Sequence, residues 1–158
     1  MKKILPFIAI IASAAFVGNM ITIGLSHCVH WQSLDPITFM ETFKVDFPLL
    51  LGPTAVTLMP GFLATLSLVI LTKDNKEAKR YYLYAFLGLL LTIIQTAVYH
   101  LPMNFDFMEL KYSAAEATSK LQGWVFFHWV RIGVAIMAAV FLILGFQKSN
   151  LITVDKSS

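Results

Sequence analysis

The residues able to do chemistry in this 158-residue chain occupy few positions. The four histidines are His27, His30, His100 and His128, and imidazole nitrogens either ligate iron, copper or zinc or carry a proton. In "GWVFFHWVR", Trp124, His128 and Arg131 are spaced i, i+4, i+7, which on a helix is one stripe. Arg131 lies ten residues beyond Leu121, ~15 Å along such a helix. An arginine near the centre of a membrane helix costs about 2.5–3.5 kcal/mol on insertion scales, less if the side chain snorkels. His27 and His30 share a face if their helix persists to residue 30.

Each group also has a plain structural reading. His27 and His30 could be interfacial residues beside Trp31, and His100, between Tyr99 and Pro102, could close a helix end. Arg131 could tether loop carbonyls or a carboxylate. Asn19 and Gln95 are polar residues in apolar runs, and interhelical hydrogen bonding is their default role. Asn19 and His30 are eleven apart, which on an unbroken α-helix places them on one side. A buried His128 must in any case find a partner.

The elements that position these residues follow from composition. The chain is 58% hydrophobic and 13% charged, with the apolar residues collected into long runs. Four runs, at about 4–27, 48–72, 81–101 and 121–146, reach the ~20 residues that a bilayer core requires. Backbone groups in lipid must be satisfied within the segment, so the runs predict helices, and strand alternation is missing. The fold expected is all-α: one domain, a four-transmembrane-helix bundle, multi-pass in the cell membrane. The stretch "MKKILPFIAIIASAAF" has the basic start and small residues of a signal peptide. Its apolar run continues to Leu25, longer than the ~7–15 residues of a signal core, which predicts an uncleaved helix.

Basic residues set the orientation. Lys2, Lys3, Lys73, Lys76, Lys79, Arg80, Lys148 and Lys156 flank one side, eight against Lys44, Lys111 and Lys120 on the other. Both termini and the loop "KDNKEAKR" are therefore expected in the cytoplasm, with all four histidines toward the outer face. Pro53 and Pro60 should bend the second helix, and "SLDPITFMETF" reads as a short amphipathic helix on the outer surface, Phe39 and Phe43 on one side. The scattered net charge of +3 gives no nucleic-acid footprint. The single cysteine, Cys28, excludes an intrachain disulfide, and nucleotide-binding and serine-hydrolase motifs are missing.

"YHLPMNFDF" followed by "WVFFHWVR" resembles the anthrone oxygenase-like family of small four-helix membrane proteins. Pro102 and Asn104 fit that family's Pro-x-Asn after helix three, and Trp124, His128 and Arg131 fit its Trp…His-x-x-Arg in helix four; "GNMITIGLSHCVHW" is a looser match to its first helix. The resemblance implies an integral membrane oxidoreductase, an oxygenase converting anthrones to anthraquinones with molecular oxygen. The substrate partner would be a small hydrophobic molecule held at the outer ends of the bundle.

Three chemistries stay open at this point. His27, His30, His100 and His128 could ligate iron or copper. One histidine could instead act as base, with Arg131 and Asn104 stabilising an enolate oxygen, and oxygenation could then need no cofactor. Haem between facing histidines, His128 with His30 or His100, would make an electron-transfer protein. A non-catalytic carrier or subunit is the remaining class, and at this length a transporter would need to be a homo-oligomer.

Overall fold

The structure is a computed structural model that describes residues 4–155, with side chains over 4–149. Four helices long and apolar enough to cross a membrane account for nearly all of it: α1 (Leu5–Ser33), α2 (Pro36–Leu71), α3 (Lys76–Met108) and α4, of which Ala114–Ser149 is the span. No strand occurs among the described residues. Lys2, Lys3 and Lys156, which contribute to the asymmetry of basic charge, lie outside the described residues. The helices run up and down in a ring, each packed on its chain neighbours, with α4 closing back on α1. The diagonal pair α2 and α4 face each other across the bundle. One end carries all the histidines and the other the "KDNKEAKR" loop.

Local chemistry sets the turns. The Asp35 carboxylate accepts from the Thr38 N–H (3.1 Å) ahead of Pro36 at the first helical position. Hydrogen bonding from the Thr38 side chain, and then from its N–H, holds the Asp35 carboxyl below the usual carboxylate range. Asn75 caps α3 in the same way through the Ala78 N–H (2.9 Å), and its side-chain amide donates to the Lys148 carbonyl (2.9 Å). Ser113 and Glu116 form a reciprocal capping box at the start of α4. Between α3 and α4, Tyr112 and Lys111 both donate to Asp106 at 2.7 Å. Burial first, then that carboxylate, push the Tyr112 phenol up to about 12, so it remains a donor at neutral pH.

The apolar exterior is what lipid requires. Val56 and Val98 are more than 70% exposed, and many leucines and isoleucines and Phe126 are also exposed. Inside, small residues bring helices close. A Cβ at Gly24 would lie 3.0 Å from the Trp129 ring and 3.4 Å from the His128 ring. Gly24 thus permits the α1–α4 approach that the site depends on.

The second helix departs from expectation. It begins at Pro36 rather than near residue 48, and "PITFMETF" is its first turns rather than a separate surface helix. Phe39 and Phe43 are buried because they meet other rings: Phe39 packs on Phe107 (4.9 Å between centroids) and Phe43 on Trp31 (4.7 Å). The helix runs unbroken through Pro48, Pro53 and Pro60. Asn19 and Gln95 do bridge helices, Asn19 to the Thr54 hydroxyl (3.2 Å) and Gln95 to the Phe127 carbonyl (2.8 Å).

Orientation can be tested with cysteines against a quiet background, since Cys28 is buried. Ser33→Cys and Glu109→Cys, both at exposed positions of the histidine end, should react with an impermeant maleimide outside intact cells. Asp74→Cys, at the lysine end, should react only after permeabilisation.

Candidate functional site

Two turns are wound one residue wide, Ile23–His27 in α1 and Thr96–His100 in α3, each with π-type hydrogen bonding. Such insertions re-aim the side chains after them. Here they lie on facing stretches of α1 and α3 at the histidine end. His100 ends buried against Trp124, whereas His30 ends exposed.

Arg131 and His128 are the centre of the arrangement, both buried. His128 Nε2 lies 2.9 Å from the Met20 carbonyl of α1, and its Nδ1 lies 2.7 Å from an Arg131 terminal nitrogen. A carbonyl only accepts and a guanidinium only donates, so the ring between them is the neutral Nε2–H tautomer. Neither nitrogen has a lone pair to spare. A ligand or base role for His128 would require one of these two bonds to break; in this arrangement the ring fixes the position of the guanidinium.

The Arg131 guanidinium also donates to Thr96 Oγ1 in α3 (3.1 Å). Thr96 passes its own hydrogen to the Thr92 carbonyl (2.8 Å). The Nε group of Arg131 is buried with no partner. Among the described residues the ion pairs are His27–Asp46, Lys111–Asp106 and Lys148–Glu77, and no carboxylate pairs with Arg131. An intramembrane cation without a counter-charge is costly, which makes Arg131 a functional-site candidate.

Trp124 lies one turn toward the histidine end. Its indole stacks on His128 (5.1 Å between centroids, 10°), meets His100 edge-on at 5.1 Å, and donates to Asn104 Oδ1 at 2.7 Å. An indole N–H only donates, which settles the amide orientation of Asn104: its NH2 group faces elsewhere, as a donor. Trp124→Phe should keep the stack but free that amide, weakening ligand binding about tenfold while lowering stability by only ~1 kcal/mol. Ligand titration beside a thermal melt checks the pair of effects.

These groups wall a pocket with about 440 Å³ of free space, counting its open mouth. Arg131, Thr96 and Thr54 line it at the deeper level, Asn104, Trp124 and Trp31 nearer the histidine end. Met20, Ile23, Phe47, Leu50 and Leu101 supply apolar wall. Within the polar lining the donors left without a partner include Arg131 Nε–H and the Asn104 NH2 group, and both suit an acceptor oxygen. The Trp31 indole, also in the pocket wall, donates to the Asp46 carboxylate (2.9 Å).

The four histidines do not form one cluster. His100 and His128 flank Trp124; His27 lies 3.7 Å from Asp46 at partial exposure, and His30 is exposed. His100 is fully buried, its Nδ1 3.4 Å from the Gln95 carbonyl and its Nε2 without a partner. Among the described residues no three of His, Cys, Asp and Glu gather as a metal site would require. The donor set does not fit iron or copper. Haem does not fit either: the Trp124 indole packs against both the His100 and His128 rings, and His30 is exposed.

Residues that carry the site but give little signal in the sequence are Thr96, Thr54, Trp31 and the Met20 carbonyl. Trp31 had one available cue, its position four after His27.

No curated protein and no solved structure matches the chain. The family model described as anthrone oxygenase matches residues 39–141, well over half of the chain and including Asn104, Trp124, His128 and Arg131. Four apolar helices, the helix-four stripe and that match agree: this chain belongs to the anthrone oxygenase family.

Proposed function

We propose that the protein is an oxygenase of the cell membrane that takes a flat, lipophilic aromatic ketone of the anthrone type into the outer half of the bundle. The ketone oxygen lies at Arg131, with Asn104 as a second donor toward the histidine end. The acidic ring carbon gives up a proton to water at the open mouth of the pocket and leaves an enolate, and the negative charge on its oxygen is what Arg131 lacks. Such donors are worth most where water is excluded and charge develops, about 10²–10³-fold in rate per donor. The carbanion character of the enolate then lets the substrate itself reduce molecular oxygen. His128 and Thr96 hold the guanidinium in place, Trp124 holds the Asn104 amide, and the aromatic walls exclude water.

One observation carries this reading: Arg131 is buried in the pocket wall with unused donors and no carboxylate. The test is oxygen uptake by purified protein in lipid vesicles supplied with anthrone. Consumption of one O2 per anthraquinone formed, above the spontaneous rate, is the expected result. Tight anthrone binding with no extra oxygen uptake would overturn the oxygenase and favour a carrier.

A further inference from the structure

Threonines inside membrane helices usually return their hydroxyl hydrogen to the carbonyl one turn back. Thr22, Thr57, Thr65, Thr92, Thr96 and Thr118 all do so here. Thr54 does not, and neither do Thr38 and Thr42 nearer the start of α2, but only Thr54 of these three reaches the pocket. Its Oγ1 accepts from the Asn19 amide (3.2 Å), and its own hydrogen meets no acceptor among the described residues. A hydroxyl held as acceptor on one side is left as a donor on the other.

Its position is as informative as its hydrogen. Asn19 and Met20 are consecutive in α1; the first holds Thr54 and the carbonyl of the second holds His128. Thr54 is therefore at the depth of His128. The Arg131 guanidinium reaches back to that same depth, because helical side chains lean toward the N-terminus. Thr54 stands on α2 and Arg131 on α4, the diagonal pair. The pocket thus has a donor on each of two opposite walls at one level, a cation on α4 and a neutral hydroxyl on α2.

We propose that Thr54 is the donor that receives the oxygen introduced by the reaction, an assignment that rests on the oxyanion reading of Arg131. In an anthrone the ketone and the reactive carbon are on opposite edges of the central ring. With the ketone oxygen on Arg131, the reactive carbon faces Thr54. A carbon–oxygen bond forms there as the carbanion adds to O2, and the terminal oxygen takes a proton to give a hydroperoxide. The remaining proton then leaves that carbon, the O–O bond breaks, and the terminal oxygen departs with a proton as water. The CH2 carbon ends as a second carbonyl; one oxygen atom is in the product and one in water. Thr54 donates to the carbon-bound oxygen throughout, which also makes it a recognition group for the diketone product.

Binding of two probes, anthrone under nitrogen and anthraquinone, separates this from the parent reading. Thr54→Val should bind anthrone as the wild type does and anthraquinone about tenfold more weakly, the effect of one neutral hydrogen bond. Thr54→Ser should restore anthraquinone binding. The double variant Thr54→Val, Asn19→Leu, which leaves no orphaned amide, should repeat the split if the single variant melts early. Equal weakening for both probes, or undiminished anthraquinone binding, overturns the assignment while leaving Arg131 untouched. Wild-type protein that binds neither probe, or Arg131→Lys that binds anthrone normally, overturns the oxyanion reading, and this assignment with it.

Discussion

Arg131→Lys should fold and insert, yet lose about 10²–10³-fold in turnover of an anthrone-type substrate. The ammonium keeps the charge, but it cannot span the present geometry. The guanidinium reaches Thr96 Oγ1 with one nitrogen and His128 Nδ1 with the other, at 3.1 and 2.7 Å. A lysine has a single nitrogen on a flexible stem, so it satisfies one partner or the substrate, and its position is no longer held. The magnitude is that of removing one preorganised oxyanion donor. Steady-state rates beside a melting curve check it; a lysine variant with wild-type turnover would show that charge alone suffices.

His128→Leu should be the most destabilising single change in the site, by about 2–3 kcal/mol. It strips a charged donor of its buried acceptor and leaves the leucine facing a guanidinium. His128→Gln should recover most of that loss, because a carboxamide can donate to the Met20 carbonyl and accept from Arg131. Its turnover should stay within about tenfold of wild type, since the glutamine still presents Arg131. A metal ligand or base replaced by glutamine would leave nothing. Thermal unfolding of both variants and the rate of the glutamine variant decide between positioning and direct chemistry.

The helices were legible because their apolar runs are longer than any soluble element would need, and the stripe Trp124–His128–Arg131 because α4 is regular there. The start of α2 was not. Asp46 read as loop ahead of a helix that starts at Pro48, yet Asp46 is stabilised within the helix by the Trp31 indole, a partner fifteen residues away. The shared histidine site failed for a related reason. Spacing along the chain placed all four at one end, but facing depends on the winding between them. The turn Ile23–His27 carries an extra residue, which rotates the next stretch of helix by about 100° and puts His30 outside. His128 was located by sequence but its partners were not, because its acceptor and donor come from Met20, on another helix, and from Arg131. Thr54 and Thr96 are indistinguishable by sequence from threonines that only close their own helix.

The proposed reaction turns on Arg131 receiving a negative oxygen, and the optical spectrum of bound anthrone under nitrogen tests that most directly. The ketone and its enolate absorb at different wavelengths, and without oxygen the enolate has no onward reaction. Wild-type protein should convert bound anthrone to the enolate spectrum at a pH where free anthrone remains a ketone, and Arg131→Lys should lose most of that signal. Anthrone that binds wild-type protein as the unchanged ketone, or an enolate band of equal strength in Arg131→Lys, would contradict the account.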